Sequence, residues 1–212
     1  MYRIPSPPAT NLGNRWSQIS DSLFSSVIAN PIRIGLFYDD VLLWKYPNTT
    51  ECKEKSPTLS IMSLNCSADD EIIKFRLSTD HETEQLVKVV VQYNHLNVQC
   101  STAFYSPNEN AIVSFTDDGQ CVTMIGGFLD GKTMKQYCIH DKEEYNHVSL
   151  QGCLRHGRLP MSWLANGDVC STFILETVIS AKNEAEGVIW TFHSNSEESV
   201  KFKKKEMIAR LV

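Results

Sequence analysis

The tightest constraint in the sequence is a pair of β-rich runs that almost touch. Residues 32–37 (Ile-Arg-Ile-Gly-Leu-Phe) and 41–46 (Val-Leu-Leu-Trp-Lys-Tyr) flank only Tyr38-Asp39-Asp40. β-Branched and aromatic side chains suit a pleated surface, and so short a gap joins strands only as an antiparallel hairpin. The same punctuation recurs along the chain. Strands are predicted over 58–64 and 71–77, over 95–104 and 111–115 across a polar turn at 106–110, and over 120–128 after Asp117-Asp118-Gly119. A further strand is predicted over 148–153. Runs at 172–180 and 188–194, linked by Lys182-Asn183-Glu184-Ala185-Glu186-Gly187, predict a late hairpin. Gly126-Gly127 and the stretch 130–146 break the pattern and predict a boundary or a long insertion.

Two segments read as helices. Trp16, Ile19, Leu23, Phe24, Val27 and Ile28 recur at helical spacing and stop before Asn30-Pro31, where the proline disfavours helical geometry in the residue ahead of it. Ser78-Thr79-Asp80 supplies cap-type side chains for a helix over 81–93, with Glu82 and Glu84 in its first turn, although Val87, Val89, Val90 and Val91 weigh against it. The fold class expected is α+β: a predominantly antiparallel β-sheet with two or three flanking helices. Pro5, Pro7, Pro8 and Gly13 predict a flexible leader over 1–14.

Composition narrows the function classes. With 42% hydrophobic and 21% charged residues, the chain has the material for a packed core. A formal net charge of −5 argues against general binding of polyanions, which is mostly phosphate neutralisation by Lys and Arg. No run approaches the roughly 18 consecutive apolar residues of a membrane span, and the first residues lack the basic-then-apolar order of a secretory signal. The seven cysteines are odd in number and scattered through apolar runs, as buried free thiols of reducing compartments are. An intracellular chain follows, and the sequons at Asn48 and Asn65 are discounted with it.

Local chemistry is sparse. Cys138, His140, Cys153 and His156 are the residue types of a tetrahedral zinc site, but their one- and two-residue gaps depart from the usual metal knuckles, and no metal or cofactor is expected. None of the six histidines belongs to a nucleophile signature, and Gly131-Lys132-Thr133 lacks the first glycine of a phosphate-binding loop. The basic cluster Lys201, Lys203, Lys204 and Lys205 is the candidate for nucleic-acid contact, with His156-Gly157-Arg158 a lesser one. A solvated face is the plainer reading of both.

Residues 16–130 show a resemblance carried by element order and by one stretch. A helix precedes the 32–46 hairpin, then come paired strands, a helix and a final hairpin. Leu96-Asn97-Val98-Gln99-Cys100 leads into Phe104-Tyr105-Ser106-Pro107-Asn108-Glu109-Asn110-Ala111-Ile112-Val113-Ser114-Phe115. This resembles a domain of the PCNA-like checkpoint clamp family, in particular the second domain of its Rad9-type subunit. The resemblance implies a non-catalytic nuclear protein that binds other protein subunits, with DNA contact, in damage signalling, repair or meiosis. It divides the chain into a leader (1–14), a clamp-like α+β domain (15–130) and a β-rich extension packed on the same unit (131–212). A pleckstrin-homology-like adaptor that binds a partner peptide fits the hairpins nearly as well, and a small nucleic-acid-binding module using the basic tail is the other alternative. On either reading of the fold, function is expected to reside in a groove or an exposed strand edge that captures a partner by strand addition or an apolar anchor. No membrane and no small-molecule substrate are expected.

Overall fold

The computed structural model describes residues 31–45, 57–66, 70–94, 101–116, 119–142 and 152–211. The chain divides into two compact units, Met1–Asn30 and Pro31–Val212, and every described residue belongs to the second. The helix predicted over 16–28 lies outside the described residues.

Strands β1 (Ile32–Tyr38) and β2 (Val41–Lys45) form the expected hairpin, turning at Asp39 and Asp40, both at positive φ. Aspartate tolerates that conformation better than most residues, and two such residues in succession match the twist of the flanking strands. β3 (Thr58–Cys66) pairs with β4 (Asp70–Ser78), after which β5 (Gln85–Asn94) returns to lie against β1. β6 (Ser101–Ser106), β7 (Ala111–Thr116) and β8 (Val122–Leu129) run as a meander, and β9 (Lys132–Thr133) folds back onto β8. β10 (Gln136–Asp141), β11 (Leu164–Gly167), β12 (Val169–Ile179), β13 (Ala185–Ser194) and helix α1 (Glu197–Leu211) complete the unit. Among the described residues all strand pairings are antiparallel. They form a five-stranded sheet in the order β10-β12-β5-β1-β2 and an eight-stranded sheet in the order β11-β6-β7-β8-β13-β4-β3, with β9 beside β8.

The two sheets face each other across one core. Ile34, Leu36, Val87, Val89, Val91 and Phe173 from the first meet Ile73, Phe75, Ile112, Ile125 and Ile189 from the second, all essentially buried. Each outer face is also covered. Val200 and Met207 of α1 lie over Val113, Met124, Trp190 and Phe192, and Leu154 and Leu159 lie over Phe37, Val90 and Ile174. The central strands are therefore covered on both sides, so the first seven residues of β12, Val169–Leu175, are all buried instead of alternating.

The structure changes several sequence expectations. The segment expected as a helix over 81–93 is β5, because its valines alternate between the core and the outer face and β-branched side chains pack well there. The cap-type side chains ahead of it serve a turn: the Thr79 hydroxyl accepts from the His81 N–H at 3.2 Å. The runs expected as a late hairpin are strands of different sheets. β12 finds its partners in β10 and β5, β13 finds its own in β8 and β4, and residues 180–184 arch between the sheets. The stretch 130–146 holds β9 and β10, and residues 152–153, expected to end a strand, lie in a short helical turn. Strands from 131–212 are interleaved with the earlier ones, β12 between β10 and β5 and β13 between β8 and β4.

Glycines here admit aromatics instead of ending strands. Gly126 lies opposite Trp190 and Gly187 opposite Phe75, and a Cβ at either would fall 2.4 Å from the indole or 2.2 Å from the phenyl ring. The aromatic covers the glycine backbone, so β8 runs straight through Gly126-Gly127.

Candidate functional site

The basic cluster falls on α1, whose N-terminus is capped by Ser196: its hydroxyl oxygen accepts from the Ser199 N–H at 3.2 Å. Three of its four lysines are held internally. Lys201 pairs with Glu197 one turn earlier at 2.6 Å, a contact that raises its pKa. Lys203 reaches Asp70 at 2.7 Å and the His193 carbonyl at 2.8 Å. Lys204, 14% exposed, meets the Glu109 carboxylate at 3.0 Å and its carbonyl, and lies 5.7 Å from the centre of the Trp190 ring. Lys205 alone is exposed with no ion pair among the described residues. The cluster fastens the helix to the second sheet, and little cationic charge is left for a phosphate backbone.

The zinc candidates come together only in part, Cys153 lying close enough to Cys138 to add to the rise in its pKa. Cys138 and His140 share the outer face of β10, where Cys138 is buried and His140 places Nδ1 3.0 Å from the Asp141 carbonyl. Cys153 and His156 sit on the 152–156 turn, with His156 exposed and its Nδ1 2.8 Å from the Gly152 carbonyl. Among the described residues no group of three or more His, Cys, Asp or Glu side chains is arranged to hold a metal ion. Burial pushes the Cys138 thiol up to about 11 and the Cys170 thiol up to about 12, which keeps both protonated and poorly nucleophilic. In the neighbouring His156-Gly157-Arg158 the Gly157 carbonyl accepts from Gln136 Nε2 at 3.1 Å and from Lys88 Nζ at 3.4 Å, while the His156 and Arg158 side chains are exposed.

One polar group does converge, and nothing in the sequence pairs its members. Thr123 Oγ1 and His193 Nδ1 lie 2.8 Å apart on adjacent strands, and the Tyr93 ring from the opposite sheet sits 6.4 Å from the imidazole. Burial raises the Tyr93 hydroxyl well above its usual range, with Glu71 adding to the effect. This joins the sheets near one end of the core by satisfying polar atoms there.

The feature that a bound partner would explain is apolar and rigid. Residues 160–167 close one side of the sandwich. The Ser162 N–H donates to the Pro160 carbonyl at 2.8 Å, the Ile139 N–H of β10 donates to the Ser162 carbonyl at 3.0 Å, and the Tyr105 N–H of β6 donates to the Trp163 carbonyl at 3.0 Å. β11 then continues the ladder, with Leu164 opposite Phe104. Beside this seam Tyr105 and Tyr137 stack across the two sheets with ring centres 3.9 Å apart, and partial burial raises the Tyr105 pKa. On so well-anchored a backbone Met161 is 64% exposed, Trp163 62% and Leu164 39%. Trp and Met are over-represented in interface cores, and an anchor held by both sheets loses little entropy on binding. The sequence carries a faint signal for it. In Pro160-Met161-Ser162-Trp163-Leu164 large apolar residues fall together in a segment that reads first as an irregular piece.

Lys142 pairs with Asp168, and Lys135 with Glu176 at 2.8 Å, while Arg158, two residues before Pro160, is exposed. Among the described residues no helix is long and apolar enough to cross a membrane. In comparisons with known proteins, no protein-family model matches the chain and no curated protein matches its sequence.

Proposed function

We propose that this protein is a non-catalytic interaction subunit that holds a protein partner by an apolar anchor, Met161 and Trp163, presented on the seam between its two sheets. The observation that carries this reading is the contrast between a backbone hydrogen-bonded to both sheets and two large apolar side chains left nearly two-thirds exposed on it. Leaving such groups in water forgoes burial worth about 25 cal/mol per Å², which a complementary apolar pocket restores.

The wider setting, a nuclear complex in DNA damage signalling, repair or meiosis, is supported by the clamp resemblance alone. The chain does form the hairpins β1–β2 and β6–β7 that the resemblance counts, while the segment it counts as a helix over 81–93 holds strand β5. The anchor reading stands without it.

The test is co-purification of the tagged full chain from native extract after nuclease digestion, with Trp163→Ser in parallel. A partner retained by the wild type and lost by a variant of unchanged melting temperature supports the reading. Retention of every partner by the variant refutes it.

A further inference from the structure

The turn that leads to the anchor carries charge of one sign. Between Glu144 and Asp168 the sequence has no Asp or Glu, in a chain that holds 25 of them, yet Arg155 and Arg158 fall in that stretch and both are exposed. Several cations around it are already matched. Lys142 pairs with Asp168, Lys135 with Glu176, and Arg155 Nε donates to the Asp40 carbonyl at 3.4 Å, beside the exposed Asp39-Asp40 turn. Arg158 and Lys88 form no ion pair among the described residues. Lys88 stands opposite Glu176 in the β5–β12 register, but Lys135 holds that carboxylate, and Lys88 Nζ donates to the Gly157 carbonyl at 3.4 Å.

The backbone sets the distance from this charge to the anchor. Residues 157–162 follow β10: the Gly157 carbonyl accepts from Gln136 Nε2 at 3.1 Å, the Leu159 N–H donates to Gln136 Oε1 at 2.8 Å, and the Ser162 carbonyl accepts from the Ile139 N–H at 3.0 Å. Arg158 therefore lies level with Gln136 and Trp163 just past Ile139, a strand length of about 10 Å. We propose that the segment seated on Met161 and Trp163 is an acidic peptide, which sets an apolar side chain on the anchor and a carboxylate against Arg158 and Lys88. This rests on the anchor reading above and adds the chemistry of the partner. A guanidinium fork matches a carboxylate bidentately, and an extended peptide covers about 10 Å in three residues, so the motif is an Asp or Glu three positions from a large apolar residue. A nucleic acid fits less well. Its affinity comes mainly from neutralising many phosphates, whereas Arg158 and Lys88 on a chain of net charge −5 neutralise few, and Met161 and Leu164 beside Trp163 offer no ring for a second base.

Random peptides displayed on phage are selected against the full chain, against Arg158→Glu and against Trp163→Ser, each variant first shown to melt as the wild type does. The wild type is expected to enrich peptides that pair a large apolar residue with Asp or Glu three positions away. Arg158→Glu should keep the apolar residue and lose the acidic one, and Trp163→Ser should enrich neither. Fluorescence anisotropy then compares the leading wild-type peptide with its amide counterpart, Asn for Asp or Gln for Glu. The amide peptide should bind the wild type about threefold to tenfold more weakly, and Arg158→Glu no more weakly than the acidic one does. Its comparison on the wild type stands even should the glutamate variant misfold. Trp163-dependent peptides without an acidic residue, or an amide peptide that binds the wild type equally well, would overturn the charge pairing and leave the anchor in place. Selection of no peptide, or of peptides indifferent to Trp163→Ser, would overturn both. A labelled oligothymidylate that binds more tightly than the leading peptide and is lost in Trp163→Ser would overturn the acidic peptide in favour of a nucleic acid.

Discussion

Replacing Lys204 with methionine should unfold the protein more easily, not merely remove a surface charge. The Nζ atom stands 3.0 Å from a Glu109 carboxylate oxygen, the two side chains being 14% and 19% exposed, and close enough to Trp190 for a cation–π contribution. At an effective dielectric of about 20 the attraction is about 5 kcal/mol, most of it offset by the cost of desolvating both ions. Methionine keeps the apolar stem but strands Glu109, so the expected loss is about 1.5–3 kcal/mol. For a unit of this size that lowers the melting temperature by about 4–10 °C. Urea unfolding followed by tryptophan fluorescence measures it, with Lys205→Met as the surface control, expected within about 0.5 kcal/mol of wild type. Adding Glu109→Gln to Lys204→Met should recover at least half of the loss, because the stranded charge is gone. Equal stability of Lys204→Met and Lys205→Met would refute the assignment of the cluster as a fastening and would reopen the nucleic-acid reading.

Three other outcomes follow from named contacts. The buried thiols of Cys138 and Cys170 titrate at about 11 and about 12 when folded, against 9.0 for an ordinary thiol, so the unfolded chain loses these protons first. Stability should therefore fall as pH rises above about 9, by about 2–3 kcal/mol at pH 10 for the two together, and denaturation of Cys138→Ala/Cys170→Ala should show a flatter pH dependence. Gly187→Ala drives a methyl group into the fully buried Phe75 and should cost about 2–3 kcal/mol, partly regained by Phe75→Leu, whereas Gly152→Ala meets nothing within 4 Å and should be neutral or better by thermal melt. Trp163→Ser should leave the urea midpoint nearly unchanged, since the indole is 62% exposed; a large loss would mean that it belongs to the fold and not to a partner.

Much of the strand inventory was legible because it is local information. The turn at Asp39-Asp40, the Pro107–Asn110 turn and the runs on either side of each announce themselves within a dozen residues. Where the local signal was ambiguous it misled: residues 81–93 carry both cap-type residues and a valine cluster, and only a place between β1 and β12 makes the valines prevail. The candidate surface was less legible still. Nothing in Pro160-Met161-Ser162-Trp163-Leu164 says that its backbone will be shared between two sheets, and nothing in four clustered lysines says that carboxylates at Asp70 and Glu109 await two of them.

By itself, then, the sequence determined where the chain extends, where it turns and that it carries a core of β-branched and aromatic residues, because backbone sterics and side-chain shape act over a few residues. Only the tertiary structure decided which strand joins which sheet, which charges are neutralised and which apolar groups stay in water. Those outcomes depend on contacts between residues as far apart as Glu109 and Lys204 or Tyr105 and Tyr137, and a partner that distant leaves no mark on the local pattern.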